Sequence, residues 1–413
     1  MSCAATLRAE AQPLRRQAQR RKARGDACVG EPHIARIERY RFREALDVAI
    51  CIPVRDEAER LAACLAAVED AAIGCADDHI GVVVVVNNSV DQSAAIALDW
   101  ASRARCPALV CVVELPGRTA NVAHARALAF DLALEMAAPD AVLLTTDGDT
   151  RVAPEWAHHL ATAVRGCGAM AAGTITADPA ELACLPPQAR ATGKLEADLK
   201  AAYRAAWHAI LPGTQCIPLI SAGGANMAMS AAAYRDVGGL PTAGRNEDRA
   251  MVAAMLRAGR PVVAAPRAVA VTSCRLDARA IHGMAEALLE RCHSADPRLD
   301  EVLTEFDHFL ALALAYGVLS GRLAYVDPDD VAGRLSVPAA MLRRRPRADG
   351  LLSEFVTVME AAPKGHGLTR SRGAQELQAA HQWLNEAAAL HELCTWDRGE
   401  PFRSNGGRAL CPM

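Results

Sequence analysis

The sequence predicts an α/β chain: a doubly wound, mostly parallel sheet with helices on both faces, followed by a helical C-terminal region. Three observations lead there. Apolar β-branched runs alternate with segments of helical spacing from residue 46 to 149. The runs are apolar on both faces, as parallel strands covered on both sides must be. The connections are short, and polar clusters stand at the end of each run.

"LDVAICIPV" (46–54) reads as a first buried strand closed by Pro53. "DEAERLAACLAAVEDAA" (56–72) has helical spacing, with Leu61, Leu65 and Val68 on one face. "IGVVVVVNNS" (80–89) is a second strand, apolar on both faces and hence central. A helix over 93–104, a strand over 108–115, a helix over 121–137 and a strand over 141–149 follow. Past 150 the alternation loosens. A helix is expected over 154–166, a strand over 169–175 and a helix near 190–209. Residues 219–240 read as strand, glycine turn and helix, and 246–273 as an acidic start, a helix and strand material. Helices are expected over 278–293, 299–319 and 373–392.

Three segments follow: a basic arm over 1–44 expected to lack structure, an α/β domain over 45–275, and a helical region over 276–413. The arm is Arg-rich and has no apolar stretch of the secretory kind. It could touch an anionic lipid surface or RNA. The most apolar helix, "FLALALAYGVL" (309–319), is shorter than the roughly 20 residues a membrane span needs, so it is expected to be a core or docking helix. A net charge of −3 argues against a general polyanion binder, and no nucleic-acid partner is expected. The fourteen cysteines include no C-x-x-C pair and many lie in apolar runs, which suits reduced, buried thiols in a cytoplasmic protein. His158–His159 and His282, Cys292 and His293 lack metal-ligand spacing.

Ligands of doubly wound sheets bind at the carboxyl ends of the strands. Four polar clusters fall there: Arg55-Asp56-Glu57, Asn87-Asn88-Ser89, Pro116-Gly117-Arg118 and Asp147-Gly148-Asp149. Asp147 and Asp149 carry the clearest chemistry. Two carboxylates held close raise each other's pKa unless a cation neutralises them. Their hard oxygens suit Mg²⁺ or Mn²⁺, and the glycine between them lets a bulky anion approach the backbone.

With these residues in place, the chain resembles a family 2-type glycosyltransferase of the GT-A fold, in the nucleotide-diphospho-sugar transferase superfamily, over about residues 47–273. "IPVRDEAERL" resembles the family's first-strand segment, with Asp56 where Asn is usual. "VVVNNSVDQSA" resembles the second-strand end, although Asn87 and Asn88 stand where Asp is usual. "GRTANVAHARA" resembles the Gly-Lys/Arg segment, and "TTDGDT" the metal-binding D-x-D. "SAGGANMAMSAAAYRDVGGL" resembles the segment beside the acceptor, and "NEDRAMVAAMLRAG" the Glu-Asp segment that carries the base.

The resemblance implies a metal-dependent transferase of the hexosyltransferase type (EC 2.4), moving a sugar from a nucleotide-diphosphate donor to an acceptor hydroxyl. It implies Pro53, Asp56, Glu57, Asn87, Ser89 and Asp91 around the nucleoside and Arg118 near the base or phosphates. Asp147 and Asp149 would hold Mn²⁺ or Mg²⁺ and the diphosphate. Gly223, Gly224 and Asn226 would line the donor sugar and acceptor. Asp248, aided by Glu247, would deprotonate the acceptor in an inverting displacement, the alternative being retention, since some retaining transferases share this fold and similar motifs. Ser273, Arg275 or His282 would touch phosphate or metal. The absence of Q-x-x-R-W and of membrane helices implies a single-addition enzyme, cytoplasmic or peripheral at the inner face of a membrane. The helical region could cap the acceptor site, form a homodimer or dock a partner.

Two other readings compete. One is a non-catalytic sugar-nucleotide-binding relative, against which both the D-x-D and the Asp248 segment stand intact. The other is a haloacid dehalogenase-like phosphatase, whose D-x-D normally opens the domain; here it follows three strands. A nucleotidyltransferase would need glycines after the first strand, and a dehydrogenase a G-x-G-x-x-G there.

Overall fold

The computed structural model describes residues 32–75, 78–243, 246–277, 284–363 and 367–396. Contacts divide the chain into two units. The first comprises residues up to 184 together with 220–289, and the second comprises 185–219 together with 290 onward.

The first unit is built on nine strands. In chain order they are β1 (His33–Tyr40), β2 (Leu46–Val54), β3 (Ile80–Asn87), β4 (Ala108–Glu114), β5 (Ala137–Thr145), β6 (Arg151–Val152), β7 (Met170–Ala177), β8 (Met227–Ser230) and β9 (Val262–Thr272). They form one sheet in the order β1-β4-β3-β2-β5-β8-β7-β9-β6. The four central strands β4, β3, β2 and β5 run parallel, and so do β7 and β9. β8 is antiparallel to β5 and β7, and β1 and β6 are antiparallel at the two edges.

The apolar runs behave as their composition requires. Every residue of β3 is buried, because helices cover the sheet on both sides. Ile50, Ile52, Val82, Val84, Val142 and Leu144 share one core with helices α1 (Leu61–Ile73) and α2 (Ser93–Arg103). Helix α3 (Val122–Leu134) packs on the opposite face, against β2, β3 and β5. It is buried almost all round, including His124, Arg126 and Asp131. Helix α4 (Trp156–Cys167) follows β6, with Trp156, Leu160 and Val164 in the first core. The short α5 (Pro179–Cys184) precedes the second unit.

Two expectations need correction here. His33–Tyr40 lies in the span expected to be an unstructured arm, yet it pairs with β4 along its length. Its charged residues suit an edge strand, where only one side is paired; residues 1–31 lie outside the described part. The first helix begins at Leu61, not at Asp56, because residues 55–60 form a turn in which Asp56 has φ 53°.

The second unit opens with α6 (Pro187–Ile210), whose Tyr203 and Trp207 are fully buried. The contact division therefore differs from a boundary at 275/276: residues 185–219 belong with the C-terminal helices. The chain then returns to the first unit for α7 (Ala231–Asp236) and α8 (Glu247–Arg257), and α9 (Met284–His293) straddles the division at 289/290. Beyond it come α10 (Phe306–Leu319), α11 (Pro328–Leu335), α12 (Ala339–Arg343), α13 (Leu351–Ala361) and α14 (Arg370–Trp396). Aromatic contact holds α6 to α10: the Tyr203 and Phe309 rings lie 4.7 Å apart and those of Trp207 and Tyr316 5.5 Å apart. The apolar α10 is thus a core helix, as its all-round hydrophobicity requires. Among the described residues no helix is long and apolar enough to cross a membrane.

Candidate active site

The carboxyl ends of β2 and β3 are laced together by side chains accepting from backbone amides. Asp56 N–H donates to Ser89 Oγ at 3.0 Å, and Val90 N–H returns a bond to Asp56 Oδ1 at 2.8 Å. Ala58 N–H donates to Asp91 Oδ2 at 2.9 Å, and Glu57 N–H to Ser93 Oγ at 2.8 Å. Asp tolerates the left-handed backbone that Asp56 adopts better than most residues do. Asn88, also left-handed, ties β3 to the end of β4. Its amide donates to the Leu115 carbonyl at 3.0 Å, and its Oδ1 accepts from Leu115 N–H at 3.1 Å. The sequence-predicted Asp56, Ser89 and Asp91 therefore meet, and each spends part of its polar capacity on shaping the loop.

Pro53 is buried within β2. Asn87 is 1% exposed, and its amide nitrogen has no hydrogen-bond partner among the described residues. Arg118 is exposed on the turn Gly117–Thr119, which Gly117 enters at φ 50°. Asn121 caps α3 behind it, accepting from His124 N–H at 3.0 Å.

β5 delivers Asp147 and Asp149 just beyond its end, and each meets a guanidinium. Arg275, past β9, pairs with Asp149 at 3.2 Å and also grips Glu57, bonding its Oε2 at 2.5 Å. Thr150 and Thr272 hydroxyls lie 3.3 and 3.5 Å from Asp149 Oδ1. Burial pushes the Asp149 carboxyl up to about 6, with Asp147 and Glu57 adding repulsion that Arg275 only partly offsets. Gly148 fits where little else could, since a Cβ there would meet Glu57 Cγ at 3.2 Å and Val54 Cγ2 at 3.3 Å.

Sequence reasoning missed Arg126. It sits on the second turn of α3, is 2% exposed, and pairs with both Asp147 and Glu247. Burial alone would pull this guanidinium's pKa down, but Asp147, Glu247 and Asp248 outweigh it and keep it protonated. The one available signal was an arginine on an otherwise apolar helix face, where an unpaired charge would be prohibitive. Burial also raises the Glu247 carboxyl, with Arg126 opposing and Asp248 reinforcing.

The Gly223–Gly224 turn closes the other side. Gly224 N–H donates to Asp248 Oδ2 at 3.0 Å, and Arg249 N–H donates to Oδ1 at 2.7 Å. A Cβ on Gly224 would collide with Arg126 Nη2, so the guanidinium lies directly on this glycine. Asn226, expected to line the donor, is turned into the core instead. Its amide donates to the carbonyls of Thr174 and Ala268 at 2.9 and 2.8 Å, and its Oδ1 accepts from Trp156 Nε1 at 2.8 Å. Its side chain joins β8 to β7, β9 and α4 and is fully buried. Of the three residues past β9, Arg275 reaches the site. Ser273 donates instead to Glu181 Oε2 at 2.7 Å, and His282 lies outside the described residues.

The donor set suits a hard divalent cation. Among the described residues no three His, Cys, Asp or Glu are grouped to hold a metal. Two carboxylates completed by phosphate oxygens and water are a usual Mg²⁺ arrangement, and here Arg126 and Arg275 stand against Asp147 and Asp149.

Residues 49–208, under half of the chain, match the sequence pattern of glycosyl transferase family 2. No curated protein matches the chain. Among solved structures, the mannosyltransferase PcManGT from Pyrobaculum calidifontis, in complex with GDP-Man and Mn²⁺, is similar at 15% identity and a TM-score of 0.39, over 85% of this chain and 80% of that one. TarS 1–349 of S. aureus with UDP-GlcNAc is similar at 16% identity and a TM-score of 0.39, over 76% of this chain and 90% of that one. Glucosyl-3-phosphoglycerate synthase from Mycobacterium tuberculosis, with Mg²⁺ and UDP, is similar at 16% identity and a TM-score of 0.33, over 60% and 79%. Over residues 49–208 this chain carries the sequence pattern of glycosyl transferase family 2 on a mixed, nine-stranded sheet with a parallel centre.

Proposed function

We propose that this protein transfers a sugar from a nucleotide-diphosphate donor to an acceptor hydroxyl, inverting the anomeric centre in a single displacement. The observation that carries the reading is the convergence of two acidic groups on one buried arginine. Asp147 comes from the end of β5 and Glu247 from the start of α8, and Arg126 holds both.

The roles divide by what each carboxylate is already doing. Glu247 is committed to Arg126. Asp248 accepts one backbone bond on each oxygen and keeps a free lone pair on each, so Asp248 is the base that removes the acceptor's proton. The two backbone bonds fix its direction. Asp147 and Asp149 would hold Mn²⁺ or Mg²⁺, which when bound stabilises charge on the departing diphosphate. Arg275, which pairs with Asp149 at 3.2 Å, would serve the diphosphate as a counter-charge. The turn built by Asp56, Ser89 and Asp91 supports the nucleoside. Catalysis of this kind rests on electrostatic preorganisation around the leaving group and on positioning of the acceptor.

A thermal-shift series tests the reading. The full chain is melted with UDP, GDP, dTDP or CMP, each with Mn²⁺ or with EDTA. A ligand that binds only the native state raises the melting temperature by mass action. One nucleotide is expected to stabilise the protein with Mn²⁺ alone, and Asp149→Ala to abolish the shift. Absence of any shift would sink the transferase reading.

A further inference from the structure

We infer that Arg126 is a positioning residue that couples the two halves of the site, so that occupancy of the diphosphate end is felt at the base end and the reverse. The inference rests on the transferase reading above. Three observations carry it. Arg126 is buried, yet its two terminal nitrogens go to different carboxylates on different elements: Nη2 to Asp147 and Nη1 to Glu247. The guanidinium lies on Gly224, with no room for a side chain between them. That same Gly224 holds Asp248 through its N–H at 3.0 Å. One planar cation thus touches the D-x-D directly, the neighbour of the base directly, and the base itself through a single peptide.

The fork geometry matters. A guanidinium has a fixed spread of donors and can serve two carboxylates at once, whereas an ammonium is a point charge. A cation at Asp147 competes with Arg126 for that carboxylate. The arginine then turns more of its charge toward Glu247 and presses differently on the Gly224 peptide. Donor binding is in this way converted into an adjustment of Asp248. Linkage requires the reverse effect on affinity: a change at Glu247 must alter binding at the diphosphate end.

The test is a double-mutant cycle read by calorimetric titration of the full chain with Mn²⁺ and the nucleotide that stabilises it best. The four proteins are the unmodified chain, Glu247→Gln, Arg126→Lys and the double variant, each checked for a cooperative melt. Glu247→Gln is expected to weaken Mn²⁺-nucleotide binding at least fivefold, because Arg126 then commits wholly to Asp147. In the Arg126→Lys background the same change is expected to alter affinity less than twofold. Lysine keeps the charge, so an effect carried through space by charge alone would persist there, and equal effects in both backgrounds would overturn the inference. So would an affinity unmoved by Glu247→Gln in the unmodified background. If the unmodified chain binds no nucleotide at all, the transferase reading fails first and takes this coupling with it.

Discussion

The amide of Gly224 donates to Oδ2 of Asp248 across 3.0 Å, fixing the acidic start of α8 against the glycine turn before β8. The bond is local in space but spans 24 positions of chain, and it sets the direction of the carboxylate proposed as base.

Gly224→Ala should disturb that arrangement through Arg126 rather than through backbone strain. The new methyl would collide with Nη2 and Cζ of the guanidinium, so something must shift. Overpacking of this kind costs about 1–3 kcal/mol. A lower melting temperature with sharply reduced transfer is expected; a variant indistinguishable from the parent in both would refute the contact.

Asn226→Ala should act on stability. It strips partners from Trp156 Nε1 and the Ala268 carbonyl in the interior and from the part-buried Thr174 carbonyl. Leaving buried groups unpaired should cost roughly 3 kcal/mol in urea unfolding. Nucleotide affinity of the folded fraction is expected to stay within a factor of two, and a large selective loss of affinity would restore this side chain to the donor pocket.

Acidification should relieve Asp149. Its folded value of about 6 lies above the 3.8 of an ordinary aspartate, so the native state binds the proton more tightly than the unfolded chain. The relief is complete below about pH 4 and is lost as pH rises through 6. Each tenfold difference in proton affinity between the folded and unfolded chain is worth about 1.4 kcal/mol, so relative to Asp149→Asn the unmodified chain should lose roughly 2–3 kcal/mol between pH 4 and 7. Parallel stability curves for the two proteins would count against the assignment.

Arg275→Met should destabilise at neutral pH. It removes the guanidinium that pairs with both Glu57 and Asp149, whose side chains are 8% and 15% exposed. Breaking a pair this enclosed costs about 3 kcal/mol or more. The deficit measured by urea unfolding at pH 7.5 should shrink at pH 5, where Asp149 takes up its proton, and a deficit independent of pH would contradict the proposed cause.

Composition and periodicity along the chain were enough to place the sheet's parallel centre and the polar residues at its strand ends. β2, β3, β4 and β5 were legible because apolar β-branched runs covered on both faces have few alternatives, and the polar residues that end them mark a ligand edge. Asp147 and Asp149 stood out because charges that end a buried strand need a reason, whereas Glu247 and Asp248 were marked only by the family resemblance of their segment. Tertiary structure decided what pairs with what. It recruited His33–Tyr40 as an edge strand, for which the unpaired rim of β4 supplies the driving force and local composition none. It drew Asn226 into the core, because the carbonyls of Thr174 and Ala268, 52 and 42 positions away, need its donors. It placed Arg126 between two acids, one 21 and the other 121 positions distant, and Arg275 on a glutamate 218 positions away. Hydrogen bonds and ion pairs act over a few ångströms, so no spacing rule along the chain reveals partners that only folding brings within reach.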